Sequence, residues 1–481
     1  METKAEWNLS REEAIRYKLT FRECVLGEKD FYRRVGIVVL PIVVQNTLSN
    51  VVSLLDNVMV GQVGTLPMSA VAIVNQLLFV FYLCIFGAIA GAGIYTTQYF
   101  GKGDYDGVRF TTRYKLVVAF VLCLGAILLF LTAGEELIGL YIAEDTIPSD
   151  RLETLSYAKQ YLNIMLIGLV PFSLTQCYAG TLRESGQTVL PMVSGMISMG
   201  VNFLFNLLLI FGYLGFPKLG VVGAAVATVI SRFTECMIVV LFAHLKGKQY
   251  SFFRGLYRNF RIPREMIPKL LSKSLPLLLN ESLWSLGQAA LLQSYSVRGI
   301  EVVAAMNICS TISLLFNEGF ISLGSATSIV VGQELGANRL VNARRTAWRM
   351  AALSIFVCIL LGAVLFALYP LVPNIYNTEP EIRTLASAFI RIVALVMPIT
   401  AYLNVAYFTL RAGGRTLITF LFDSCFVWVV SVPAAFVLAH FTTLPVITVY
   451  AVVLLLDLIK DALGFGLMKQ GGWVRNMVAD S

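Results

Sequence analysis

Apolar residues along this chain come in long unbroken blocks separated by short polar segments, without the period-two alternation of a half-buried strand. A helical block of about 20 apolar residues crosses about 30 Å of hydrocarbon. Twelve such blocks are present, at roughly 35–60, 68–98, 114–134, 158–181, 189–213, 220–245, 271–295, 302–332, 347–371, 384–409, 416–439 and 446–468. They predict an all-α integral membrane protein with 12 transmembrane helices. Composition agrees: 57% of residues are hydrophobic and 14% charged, against about 45–50% and about 25% in soluble domains.

The pattern is written twice. GAGIYTTQYFGKGDYDGVR, from Gly91 to Arg109, reappears as ATSIVVGQELGANRLVNAR, from Ala326 to Arg344. One offset pairs Gln98 with Gln333, Gly101 with Gly336, and Leu40-Pro41 with Leu275-Pro276. A slightly shorter offset pairs TLRESGQT (Thr181 to Thr188) with TLRAGGRT (Thr409 to Thr416). The repeat is half the chain, far beyond any solenoid period. Two pseudo-symmetric six-helix bundles follow, a transporter pattern. The expected layout is a tail over 1–34, an N-lobe over 35–245, a linker over 246–270, a C-lobe over 271–470 and a tail over 471–481. A short interfacial helix is expected within 11–34.

Charge orients these spans. Eight Lys and Arg crowd the N-terminal tail and about as many the 6–7 linker, while the six loops of the other side hold about four. The positive-inside rule places both termini in the cytoplasm, which requires an even number of spans. Basic residues are not interleaved with stacking aromatics, so nucleic acid is not an expected partner. The eight cysteines form no CxxC pair, and the two histidines, His244 and His440, fall on opposite sides. No metal site or cofactor is expected.

Ionisable groups inside spans are costly and are candidate functional groups. Asp56 in helix 1 has no basic residue within one turn. Asn202 and Asn206 in helix 5 are four apart and share a face; Thr228 lies in helix 6. Helix 7 carries Asn280 and Glu281, with Trp284 one turn on; helix 8 carries Asn317 and Glu318. Asp56, Asn202, Asn206, Thr228, Glu281 and Glu318 are the candidate groups for H⁺ or Na⁺ coupling. Gln45, Gln176, Asn280 and Trp284 are candidate walls of a substrate cavity. Pro41 is a candidate helix-1 hinge, since proline removes an intrahelical bond. Asp423 reads either way. Arg232 with Glu235, and Asp457 with Lys460 and Asp461, read as structural charges.

Pro41 followed by Asp56 in helix 1, and QxxG at Gln98 and Gln333, resemble the multidrug and toxic compound extrusion (MATE) transporters. So do LRESGQT at Leu182, Asn202, and the GAAVAT run ending at Thr228. The resemblance covers roughly 35–470. It implies a V-shaped pair of six-helix bundles working by alternating access. Such a protein is a monomer in the plasma or inner membrane that exports organic cations or amphipathic metabolites in exchange for H⁺ or Na⁺. It further implies that Asp56 couples transport, that Pro41 bends helix 1, and that Gln176 stands where helix 4 carries an Asn. Two departures stand out. Asn206 occupies the place of a second acid in the prokaryotic H⁺-coupled branch. Glu281 sits one turn earlier than the helix 7 Glu of the Na⁺-coupled branch, and helix 10 carries Arg391 with no acid, leaving Glu318 to compensate from helix 8. A lipid-linked precursor flippase is the alternative; Lys159, Arg232, Arg391 and Lys460 are too few cations for a pyrophosphate cavity. HExxH and GxSxG are absent from the sequence, so enzymatic chemistry is not expected.

Overall fold

A computed structural model describes residues 9–142, 147–247, 249–376 and 378–479. Helices carry nearly all of it, with no strand among the described residues. Two short helices, α1 (Arg11–Arg16) and α2 (Phe21–Val25), open the chain where one interfacial helix is expected. Both start in a capping box, Ser10 with Glu13 and Thr20 with Glu23, which satisfies backbone N–H groups that the first turn leaves open.

The spans follow as α3 (Lys29–Gly61), α4 (Thr65–Lys102), α5 (Tyr105–Gly139), α6 (Pro148–Ile167), α7 (Leu169–Glu184), α8 (Val189–Phe211) and α9 (Val221–Leu245). Then come α10 (Met266–Ser296), α11 (Ile300–Gly336), α12 (Leu340–Leu368), α13 (Pro380–Ala412), α14 (Thr416–Phe441), α15 (Val446–Leu455) and α16 (Asp457–Gln470). Nine of these are long and apolar enough to cross a membrane singly, and α6 with α7 forms a tenth span bent by 45°. Helix α10, diluted by Lys269, Lys273, Asn280 and Glu281, and the broken pair α15–α16 complete the twelve. The bend in the fourth span falls at Gly168, between α6 and α7, where Pro171 cannot donate to the carbonyl of residue 167. Pro41 and Pro276 lie inside helices that continue through them.

Large apolar side chains stay exposed along the spans, Phe120, Leu128 and Leu131 of α5 among them. In water such a surface is a liability; in a bilayer it faces acyl chains at no cost.

The helices group into two compact units. The C-terminal unit comprises Met1–Val43, Thr97–Asp104 and Leu279–Ser481; the N-terminal unit comprises Val44–Thr96 and Tyr105–Leu278. The division cuts α3 just after Pro41 and α10 just after Pro276. The N-terminal unit is built on a core that includes Phe81, Ile85, Tyr161, Leu162, Met165 and Leu169. The C-terminal unit has its own, including Tyr295, Phe320, Phe389 and Met397.

Within the C-terminal unit the two QxxG copies meet. A Cβ on Gly101 would overlap the Gln333 carbonyl, and one on Gly336 would overlap the Gln98 carbonyl. Only glycine permits this backbone approach. The fully buried Gln98 donates to the carbonyls of Ala412 (3.0 Å) and Arg475 (3.3 Å) and accepts from Met477 N–H (2.7 Å). The segment after α16 is thereby held down. The N-terminal helices are held by Arg344, which donates to the carbonyls of Ala14 and Tyr17, and by the Arg345–Glu23 ion pair at 2.7 Å. In the N-terminal unit, the linker is held by Arg113, which donates to the carbonyls of Gly255, Leu256 and Arg261.

Candidate functional site

Each unit carries a polar cluster at the level of its spans. In the N-terminal unit α3, α8 and α9 bring Asp56, Asn202, Asn206 and Thr228 together. Asn206 Nδ2 donates to Asp56 Oδ1 at 2.6 Å. The Asn202 amide lies over the same carboxylate. In the orientation that satisfies both of its ends, its nitrogen donates to Oδ1 at 2.9 Å and Oδ2 at 3.1 Å. The Thr228 hydroxyl is 3.4 Å from the Asn202 amide and donates to the Ala224 carbonyl. Residues 202 and 206 are one turn apart on α8, which is why both amides reach one carboxylate.

Among the described residues no basic side chain acts on Asp56. Amides orient a carboxylate without neutralising it, and an uncompensated charge away from water costs several kcal/mol. The Asn206 Oδ1 is buried without a hydrogen-bond partner.

The second cluster, in the C-terminal unit, is built differently. Asn280 Nδ2 donates to Asp423 Oδ2 at 3.1 Å and lies 3.3 Å from the Tyr407 hydroxyl. Ser424 Oγ donates to the Asn280 carbonyl and lies 2.8 Å from its side-chain oxygen. Asp423 and Ser424 lie on a π-helical stretch of α14, Leu421–Cys425; such widened turns are frequent at functional sites. The charges that act on Glu281 are Arg411 and Asp423, and Lys460 acts on Asp423. Lys460 also pairs with Asp457 at 2.8 Å. Glu318 is half-buried on α11. Trp284 is 39% exposed on α10.

A cavity of about 320 Å³ opens inside the N-terminal unit, and both Gln45 and Gln176 line it. So do Phe172, Arg183, Met199 and Glu235. Arg183 Nη2 donates to Gln45 Oε1 at 2.9 Å. Arg232 turns away, to the Tyr82 hydroxyl and the rings of Tyr82 and Phe172. A larger cavity of about 490 Å³ lies among Glu23, Arg34, Glu334 and Arg345 of the C-terminal unit. Four of its charges are already paired, Arg34 with Glu334 at 2.7 Å and Arg345 with Glu23, so the smaller cavity is the better candidate site.

The spans hold more cations than Lys159, Arg232, Arg391 and Lys460. Lys115 on α5 is fully buried and paired with Glu184. Arg183 and Arg411 lie on the last turns of α7 and α13, two residues past the ends expected for those spans. Both belong to the repeated TLR triplet. The same turn follows each: Gly186 and Gly414 have φ of +73° and +75° and donate to the Arg183 and Arg411 carbonyls. Left-handed backbone favours glycine there. The repeat thus sets one arginine beside each polar cavity or cluster. The shared triplet was the available signal, but a hydropathy window ends before it.

Twelve spans in two similar halves, with polar groups gathered inside each, define a multi-pass membrane transporter. The chain belongs to the MatE family, whose model matches residues 41–208 and 276–437, once per half and starting each time at the helix proline. It is 25% identical to the probable multidrug resistance protein YoeA of Bacillus subtilis (strain 168), over 87% of this chain and 89% of that one. It is also 25% identical to the probable multidrug resistance protein NorM of Thermotoga maritima, over 91% and 92%. Among solved structures it resembles an outward-facing multidrug resistance MATE family transporter of the MOP superfamily. There the TM-score is 0.82 at 19% identity, covering 94% of this chain and 98% of that one.

Proposed function

We propose that this protein is a cation-coupled efflux antiporter of the plasma or inner membrane with both termini cytoplasmic. It exports amphipathic drugs or metabolites in exchange for H⁺ or Na⁺. The observation that carries the reading is Asp56, a carboxylate ringed by two amides. Loading it from outside neutralises the ring; unloading it inside restores a charge that the low-dielectric interior disfavours. That difference in free energy biases the two access states. The relatives named as multidrug resistance proteins support the substrate class. The flippase alternative gains Arg183 and Arg411, but each faces carboxylates, Glu235 for the first and Glu281 for the second. A cavity so balanced is a poor receptor for pyrophosphate.

The test uses purified protein in liposomes holding a fluorescent cationic dye. An H⁺ gradient alone and then a Na⁺ gradient alone are imposed on wild type and Asp56→Asn. Dye movement driven by one gradient and lost in the variant is the expected result and identifies the ion. Movement that survives in the variant overturns the role of Asp56. No movement in folded wild type under either gradient overturns drug efflux.

A further inference from the structure

The cavity of the N-terminal unit holds one fixed charge of each sign. Arg183 comes from α7 and Glu235 from α9, and both line the same space of about 320 Å³. The two act on each other electrostatically, yet Arg183 gives Nη2 to the neutral Gln45 instead. Its Nε is buried with no acceptor. The guanidinium is therefore aimed and held, with donor capacity left over. Gly195 of α8 makes this possible: a Cβ there would stand 2.8 Å from Gln45 Nε2 and push the amide off its arginine. Glu184, the next residue, is tied to the fully buried Lys115, which fixes the end of α7. Apolar surface comes from Phe172 and Met199.

We propose that this cavity is a binding site for compact amphipathic zwitterions. The ligand's carboxylate lies on Arg183, its ammonium on Glu235, and its ring or chain against Phe172 and Met199. This deepens the efflux reading and rests on it. The physical reason is one of matched charge. A simple cation gains Glu235 but meets Arg183, and a simple anion meets Glu235. A zwitterion satisfies both ends, and each charge leaving water finds an opposite, hydrogen-bonding partner. Transport of a net-neutral ligand also leaves the charge moved per cycle to the coupling ion alone.

Three probes share one indole body and are smaller than the cavity: tryptophan (zwitterion), tryptamine (cation) and indole-3-propionate (anion). Binding of each, radiolabelled, is measured on the full-length protein in nanodiscs. Wild type should favour tryptophan at least tenfold over either other probe, a difference of about 1.4 kcal/mol. Arg183→Gln should shift the preference to tryptamine, Glu235→Gln to indole-3-propionate, and the double variant should abolish it. Arg183→Lys keeps the charge and should keep the order, which guards against reading a folding defect as specificity. Equal or tighter binding of tryptamine by wild type overturns the proposal, as does an order that neither single variant changes. Gradient-driven movement of the dye and of labelled tryptophan is followed in the same preparations. If either moves without the charge preference in binding, only the zwitterion site fails; if wild type moves neither, the efflux reading itself has failed.

Discussion

The cavity of the N-terminal unit and the polar cluster of the C-terminal unit occupy corresponding addresses and carry different charges. The offset that pairs Leu40-Pro41 with Leu275-Pro276 also pairs Gln45 with Asn280 and Asn46 with Glu281. The offset of the TLR triplets pairs Arg183 with Arg411 and Gly195 with Asp423. In the N-terminal unit Gly195 sits against Gln45, and Gln45 holds Arg183. In the C-terminal unit Asp423 sits against Asn280, and Arg411 acts on Glu281. Duplication kept the geometry while the acids diverged. The C-terminal cluster has its cation built in, as Arg411 and Lys460. Asp56, elsewhere in the N-terminal unit, has amides only. The difference supports the proposal that coupling resides in the N-terminal unit.

The sharpest break of this comparison is an exchange of acid for amide on both sides. Asp56→Asn should reduce gradient-driven dye movement to the level of empty liposomes, whereas Asp423→Asn should retain most of it. The reverse pattern would move coupling to the other unit. Next in size is Arg411→Gln, which strands Glu281 without its guanidinium. Removing one partner of a buried charge cluster costs about 3–5 kcal/mol, to be read as a lowered unfolding midpoint in detergent. Adding Glu281→Gln should recover part of that loss.

A smaller effect tests the symmetry that the units share. Gly101→Ala and Gly336→Ala each force a methyl into a carbonyl of the other motif copy. Each should cost about 1–3 kcal/mol, and by similar amounts. Unequal losses by thermal unfolding would show that the crossing is less reciprocal than its geometry. The smallest change in stability belongs to Gly195→Ala. The flexible Gln45 can move aside, and alanine gains up to about 1 kcal/mol over glycine in a helix, so the unfolding midpoint should barely shift. Probe binding should still weaken, because the Gln45 brace on Arg183 is lost.

Much of this was legible from the chain. Twelve spans, two halves and the cluster residues Asp56, Asn202, Asn206 and Thr228 are readable from hydropathy and spacing, because burial in lipid makes every intramembrane polar group conspicuous. What was not legible lies at span ends and in long-range partners. Arg183 and Arg411 fall just past the apolar runs, where a basic residue ordinarily marks an exposed loop. The Gln45–Arg183 bond joins residues 138 apart, and no local pattern announces it. Asp423 is ambiguous in sequence because its role depends on a π-helical turn that leaves no mark in hydropathy.

The glycine crossing has an evolutionary consequence. Gly101 meets the backbone of Gln333 while Gly336 meets that of Gln98, so the contact is the same when its two motifs are exchanged. That is the property of an isologous interface between identical subunits. An ancestral half-length chain with a single QxxG motif could therefore have joined its own copy through this one patch. Gene fusion would then have inherited a working dimer contact, and neither glycine could afterwards drift without the other's backbone giving way.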